Sequence, residues 1–214
     1  MNWVSLISIP IAFVLGAIPS AFIVAKLNGK VDIRDEGDGH ISSAAVYRRV
    51  GLLSFLISVV VDIGKAALAV LIAQWLKADA LVVMLAGVVA IASHQWSIFL
   101  KFQGGLGATT MAGALVCTAT IPTIIGAAIA DVLVYRTKRS TISFTVGLLI
   151  IAIILFAMQW SKVTSPPILI ATPSLPPPLT AYHLLIIYPP VLLGMMALKA
   201  VQIKYRPGAP LRAK

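Results

Sequence analysis

Acidic residues are scarce: the 214-residue chain has 7 Asp and Glu against 17 Lys and Arg, and all charged residues together make up 11% of it. A chain this poor in charge, 59% hydrophobic and with a mean hydropathy of +0.98, falls outside the soluble globular class. There is one cysteine, Cys117, inside an apolar run. No intrachain disulfide can form, no thiol redox or metal site is indicated, and small-residue packing is its expected role. The three histidines, His40, His94 and His183, have no acidic or cysteine partners at a ligand spacing, so neither a metal nor a cofactor is expected. No Lys or Arg precedes the first apolar stretch, where a signal peptide would carry one, and that stretch is expected to be a retained helix. No internal repeat is visible, which argues weakly against the inverted-repeat transporter folds.

What the chain does have is long apolar runs. A bilayer core about 30 Å thick takes ~20 apolar residues as a helix. Suitable runs occur at 3–27, 51–73, 80–100, 108–134, 142–160 and 181–199. The expected fold is an all-α polytopic membrane bundle forming a single membrane-embedded domain over 1–214. A net charge of +10 is a feature of nucleic-acid binders, but here the cations lie between and after apolar runs, so nucleic acid is not an expected partner. Fourteen of the 17 cations, from Lys26 to Lys214, fall in segments that can share one side, whereas Lys77 and Lys162 fall in the opposite loops and Lys65 inside a helix. The positive-inside rule then predicts the N-terminus outside and the C-terminus inside.

With 101–107 and 135–141 both inside, 108–134 must enter the membrane and return. Pro122 stands near its middle, where a proline breaks a helix. The expectation is a hairpin of two helices of about thirteen residues, ~20 Å each, giving about seven membrane segments. The stretch 165–180 holds six of the 13 prolines and is expected to form a stiff external cap.

Four segments then face the cytoplasm: "KVDIRDEGDGHISSAAVYRRVG" (30–51), "KFQGGLGATT" (101–110), "YRTKRSTISF" (135–144) and "KAVQIKYRPGAPLRAK" (199–214). Glycine loops, hydroxyls and cations at one membrane face suit a phosphate-bearing ligand, because backbone N–H groups and Arg forks both match phosphate oxygens. The plainer alternative is that they are connectors and headgroup anchors.

Order and spacing carry a resemblance. The chain resembles the bacterial acyl-phosphate:glycerol-3-phosphate acyltransferases along nearly its whole length. "LGAIPSAFIVAKL" is similar to the family's first helix, and "DIR" with "GDGHISSAAVYRRVG" to a first motif near G-S-G-N-I-G-A-T-N-V-L-R-x-x-G, matched at Gly37, Gly39, Ile41, Val46, Arg48 and Gly51. "DIGKA" resembles D-x-x-K-G, "SHQWSIFLKFQGGLGATT" resembles G-H-x-F-P-x-F-L-x-F-x-G-G-K-G-V-A-T, and "STISF" resembles S-L-A-S-I. The departures are Asp38, His40, Ser42, Ser43, Ala44 and Ala45 in the first motif, and Leu106 for the loop lysine. Near the C-terminus, Lys199 and Gln202 stand at the family's histidine and asparagine, with no acid following. The chain is identified as a divergent member.

The resemblance implies a multi-pass plasma-membrane protein of phospholipid biosynthesis with its active face in the cytoplasm. It would transfer a fatty acyl group from acyl phosphate to glycerol 3-phosphate, giving lysophosphatidic acid and phosphate. Its partners would be those two substrates and membrane lipids. A silent homologue that binds phosphorylated lipid or a membrane partner is the alternative.

Substrate-binding candidates are Arg48, Gly104, Gly105, Gly107, Thr110, Ser140 and Ser143, with His94, Lys101, Arg139 and Lys199 as further possibilities. Arg48 is the cation retained from the first motif, and a helix starting at Thr109 and Thr110 would present its positive N-terminal end. Each has a plainer reading: a tight turn for the glycines, snorkelling for Lys101, capping for Ser140, interfacial packing for His94. Asp62 and Lys65, i and i+3 in a membrane helix, are expected to neutralise each other structurally. Catalysis is expected to be substrate-assisted, with no protein base assigned.

Overall fold

In the computed structural model the described residues are 3–29, 32–33, 41–137, 140–160 and 180–204, and every regular element among them is helical. Six segments are long and apolar enough to cross a membrane: Trp3–Gly29, Leu52–Trp75, Ala80–Leu100, Thr120–Thr137, Thr141–Met158 and Leu185–Lys204. With the shorter apolar helix Ala108–Thr118 they make the seven membrane segments expected. Large apolar side chains such as Leu53, Val60, Ile124 and Ile153 lie exposed around the bundle, as lipid-facing positions require.

The first segment is broken. After a 3-10 turn Trp3–Ile7, helix α1 (Ser8–Ala17) stops before Pro19, and α2 runs Ser20–Gly29. A proline forces its predecessor out of helical geometry, and Ile18 has ψ 117°. The carbonyls of Ala17 and Ile18 then accept from the side chains of Ser97 and Lys65, which become part of the frame of the site described below.

Helix α3 (Ser43–Val50) lies in what the sequence presents as a loop. Its amphipathic pattern is too short to read as a span, but the Ser42 hydroxyl caps it by accepting from the Ala45 N–H at 3.2 Å. A small buried cluster of Ala21, Val24, Ile33, Ile41, Val46 and Leu100 pins α3 to α2 and to the 3-10 turn Ile98–Leu100.

Helices α4 (Leu52–Trp75), α5 (Ala80–Gln95), α6 (Ala108–Thr118) and α9 (Thr180–Lys204) surround the main core, which includes Ala69, Val70, Ala86, Ile91, Met111, Leu115, Tyr188 and Leu192. Helix α8 (Ser140–Trp160) adds Leu148, Ile151 and Leu155 to that core and pairs with α7 (Thr120–Thr137). Small residues allow these approaches: a Cβ on Gly16 would sit 2.1 Å from the Ala90 carbonyl oxygen, and one on Gly113 2.1 Å from that of Ile63. Cys117 is buried with its thiol 3.9 Å from the Ala67 carbonyl oxygen, a packing position.

The expected hairpin takes a different form. The break lies at Ala119 (φ −146°, ψ 63°), three residues before Pro122, and it divides the run into 11 and 18 residues instead of two equal halves. Pro122 sits in the first turn of α7, where its missing N–H would have had no intrahelical partner. At 1.5 Å per residue α6 is only ~17 Å long, too short to cross, whereas α7 at ~27 Å nearly spans the core. The proline-rich cap expected at 165–180 lies outside the described residues apart from Thr180, which opens α9.

Candidate active site

The glycine loop is clamped to the end of α5. Beyond Gln95, a 3-10 turn (Ile98–Leu100) leads into Lys101 and Phe102 with φ of 52° and 64°, then into Gly104, Gly105, Leu106 and Gly107. Gly104 passes so close to α5 that a Cβ would fall 1.9 Å from the His94 carbonyl oxygen, a backbone atom that cannot swing aside. Gln95, fully buried, donates from Nε2 to the Leu106 carbonyl at 2.8 Å. Gly107 (φ 85°) then takes the left-handed conformation that turns the chain into α6. The N-terminal end of α6, with its unpaired N–H groups and positive dipole end, therefore opens directly after the loop.

The far side of this turn is held by α9. Lys199 is buried, with Nζ 3.4 Å from the Phe102 carbonyl oxygen and 5.4 Å from the centre of the Trp96 ring, and Trp96 Nε1 donates to Gln202 Oε1 at 2.8 Å. Lys199 thus supports the turn and is not among the residues lining the adjoining cavity.

Behind the loop lies a buried polar cluster. Asp62 Oδ1 accepts from Ser20 Oγ at 2.5 Å and from Lys65 Nζ at 2.7 Å, and Thr109 Oγ1 stands 3.4 Å from its Oδ2. Lys65 Nζ also donates to the Ile18 carbonyl at 2.8 Å and lies 2.8 Å from His94 Nδ1. Ser97 Oγ donates to the Ala17 carbonyl at 2.6 Å. The expected Asp62–Lys65 pair is present, but it is part of a cluster that ties α2, α4, α5 and α6 together. The break at Pro19 makes this possible, because it presents carbonyls that a continuous helix would have used internally.

In front of the loop is a cavity of about 1080 Å³. Its polar lining includes Ser42, Ser43 and Arg48 from the α3 region, Asp62, His94, Gly104, Gly105, Gly107, Thr109, Thr123 and Asp131. Its apolar lining is made of small or branched residues, among them Leu115, Gly126, Ala127, Ala130, Leu148 and Ile151. Arg48 is exposed, and it makes no hydrogen bond or ion pair among the described residues, so its guanidinium fork is available to a ligand.

Several sequence candidates are therefore brought together: Arg48, His94, Gly104, Gly105 and Gly107 all line the cavity. Others stand elsewhere. Thr110 is fully buried and does not line the cavity, and its neighbour Thr109 does, because consecutive residues on a helix point about 100° apart. Ser143 is buried with Oγ 3.4 Å from Thr137 Oγ1, and Lys101 is exposed on a left-handed turn; neither lines the cavity. Arg139 and the side chain of Ser140 lie outside the described residues, as do Gly37, Asp38, Gly39 and His40. The sequence reading missed Ser20 and Asp131. Asp131 lines the cavity from within α7, and the signal for it was a lone acid in an apolar run. Among the described residues no group of three or more His, Cys, Asp or Glu could hold a metal ion.

An all-helical bundle with six segments long and apolar enough to cross a membrane, and a cavity lined by hydroxyls, loop glycines, an arginine and apolar side chains, has the form of a multi-pass membrane protein. The model of a family described as glycerol-3-phosphate acyltransferase matches residues 6–203, and the chain belongs to that family. Among relatives, a glycerol-3-phosphate acyltransferase 2 of Moorella thermoacetica is 40% identical over 116 residues, covering 54% of this chain and 59% of the relative. A glycerol-3-phosphate acyltransferase of Thermoanaerobacter pseudethanolicus is 30% identical over 152 residues, covering 71% and 76%. For the first relatives the match spans less than two-thirds of their own length, 54% to 63%. Crystal structures of the integral membrane glycerol 3-phosphate acyltransferase PlsY, in glycerol 3-phosphate and lysophosphatidic acid forms, superpose with TM-scores of 0.73 and 0.74 at 18% and 17% identity. They cover 94% and 95% of this chain and 92% and 91% of theirs, and show the shared fold.

Proposed function

We propose that this protein is a membrane acyltransferase that moves a fatty acyl group from acyl phosphate to glycerol 3-phosphate, at the cytoplasmic face of a bacterial plasma membrane. The observation that carries the reading is the cavity: a lining that combines Arg48, hydroxyls and loop glycines with apolar residues such as Leu115, Ala127, Leu148 and Ile151 suits a ligand with both a phosphate and an acyl chain, and the chain's family supplies the acceptor. The orientation, N-terminus outside and C-terminus inside, is supported by the concentration of Lys and Arg in one set of loops.

In the reaction a hydroxyl oxygen of glycerol 3-phosphate attacks the acyl carbonyl carbon. The new C–O ester bond forms, the bond from that carbon to the phosphate oxygen breaks, and inorganic phosphate leaves. The hydroxyl proton passes to a phosphate oxygen, so no protein base is required. Because the leaving group is already good, holding the two substrates in line and balancing their charge supplies much of the catalysis. Arg48 and the N–H groups around Gly104, Gly105 and Gly107 hold phosphate; the wall formed by Ala127, Leu148 and Ile151 receives the acyl chain. Arg139 and Ser140 are proposed to complete the mouth from the start of α8, and Thr110, Ser143, Lys101 and Lys199 to support it. Leu106, apolar where the family carries a lysine, favours a second reading in which the cavity binds phosphorylated lipid without turnover.

The test is titration of the purified protein with glycerol 3-phosphate. Arg48→Ala should weaken binding about tenfold, the loss of one charge-assisted contact, whereas Arg49→Ala should change it little. Equal affinity for wild type and Arg48→Ala, both folded, would contradict the assignment.

A further inference from the structure

We propose that Asp131 recognises the hydroxyl end of glycerol 3-phosphate: its carboxylate accepts a hydrogen bond from the C2 hydroxyl and leaves the C1 hydroxyl to attack. The inference rests on the proposed function and concerns the part of that substrate which the phosphate grip does not touch. It makes Asp131 a specificity-determining residue.

Asp131 is the one acidic residue of α7 and lies within its membrane-spanning stretch. A carboxylate is costly there, and acids in such helices face a polar interior or a substrate path. Asp131 lines the cavity, as does Asp62, but the two carboxylates differ. Asp62 is buried, and its oxygens are engaged or faced by Ser20, Lys65 and Thr109. The side chain of Asp131 is exposed and has no hydrogen bond or ion pair among the described residues, so both its oxygens can accept from a ligand.

Asp131 and the glycine loop lie at similar distances from the bend between α6 and α7. Measured from Ala119 at 1.5 Å per residue, Thr109 is ~15 Å along α6 and Asp131 ~18 Å along α7. Both line the cavity, and α6 opens directly after Gly107. The lining therefore offers donors from Arg48 and the loop, and an unpartnered acceptor from α7. A phosphate suits the donors and is repelled by the carboxylate, whereas a hydroxyl has a proton to give it. Glycerol 3-phosphate carries both groups on three carbons, so the opposite charges of Arg48 and Asp131 orient it, phosphate to the arginine and hydroxyls to α7. The attacking hydroxyl passes its proton to a phosphate oxygen, which leaves the other hydroxyl for Asp131. C1 is the primary, less hindered carbon, so attack falls to C1 and the hydrogen bond to C2.

The experiment titrates the full-length protein with glycerol 3-phosphate, with 3-hydroxypropyl phosphate, which keeps the charge and the primary hydroxyl but has no C2 hydroxyl, and with inorganic phosphate. Wild type should bind glycerol 3-phosphate about tenfold more tightly than the analogue, the effect of one hydrogen bond to a charged group. Asp131→Ala should abolish that preference by weakening glycerol 3-phosphate about tenfold, while the analogue and inorganic phosphate bind at least as well as to wild type because a negative charge has gone. Asp131→Asn, similar in shape and still an acceptor through its amide oxygen, should keep part of the preference. A purely structural role would weaken all three probes together. A wild type without the preference, a preference kept in full by Asp131→Ala, or an equal loss for the three probes would overturn the proposal. If Arg48→Ala weakens glycerol 3-phosphate binding while Asp131→Ala does not, only the hydroxyl assignment fails. If wild type does not bind glycerol 3-phosphate, the functional reading fails with it. The wild-type comparison needs no variant, and Asp131→Asn carries the test should Asp131→Ala fold poorly.

Discussion

Leu106→Lys should convert a weakened phosphate cradle into a stronger one, and the structure sets the size of the effect. Leu106 lines the cavity and is half-buried against the core, while its backbone is fixed separately, through its carbonyl on Gln95 Nε2 at 2.8 Å and through the tight seat of Gly104 on α5. Exchanging the side chain therefore leaves the path of the loop unchanged. Full burial of a leucine stabilises by ~1.5–3 kcal/mol; half of that is at stake, and the aliphatic stem of lysine retains part of it. The expected stability cost is about 1 kcal/mol. Against this, a charge-assisted contact to phosphate contributes ~1.5–3 kcal/mol. The mouth of the cavity is open to water, which screens the charge, so the low end applies: about 1.4 kcal/mol, or tenfold in kcat/KM for glycerol 3-phosphate. Leu106→Met, similar in volume and uncharged, should leave kcat/KM unchanged. The assay is steady-state turnover in detergent alongside a thermal midpoint for each variant. A folded Leu106→Lys protein with wild-type affinity and turnover would refute the cradle and leave the loop as a bend between α5 and α6.

The buried pair gives a prediction about stability. Asp62→Asn and Lys65→Met alone should each cost about 3–5 kcal/mol by leaving a buried charge without its partner, and the double variant should cost less than their sum; denaturation in detergent that shows purely additive effects would contradict the cluster described around Asp62. The orientation is checked by cysteine labelling in intact cells, where Ser165→Cys should react with an impermeant reagent and Thr137→Cys should not. External labelling at 137 would overturn the arrangement, and buried Cys117 contributes little background.

The number and placement of the membrane segments could be read from the sequence because a span is a composition signal: ~20 apolar residues in a row leave few alternatives. The break at Ala119 could not, since Pro122 was the visible helix breaker and a proline in a first turn breaks nothing. Within the site, Arg48 and the three loop glycines were legible through motif spacing, and all four line the cavity. Thr109 and Thr110 were not separable, because nothing local tells which of two adjacent threonines faces a cavity that helices far apart in sequence enclose. Lys199 was legible as a cation near the loop, yet its contact with the Phe102 carbonyl and the Trp96 ring depends on how α9 packs, which no local pattern encodes. The part played by Asp62 and Lys65 was half visible: the i, i+3 pair was in the sequence, but Ser20, His94 and Thr109 join it from three other helices.

The most direct measurement is inorganic phosphate release by the purified protein given a long-chain acyl phosphate, with and without glycerol 3-phosphate, while lysophosphatidic acid is quantified by mass spectrometry. The proposed function requires phosphate and lysophosphatidic acid in equal amounts, both dependent on glycerol 3-phosphate and both reduced about tenfold or more in Arg48→Ala. A folded protein that binds the acyl phosphate yet forms no lysophosphatidic acid, or releases phosphate at the same rate without the acceptor, would contradict acyl transfer and leave a lipid-binding relative of the family.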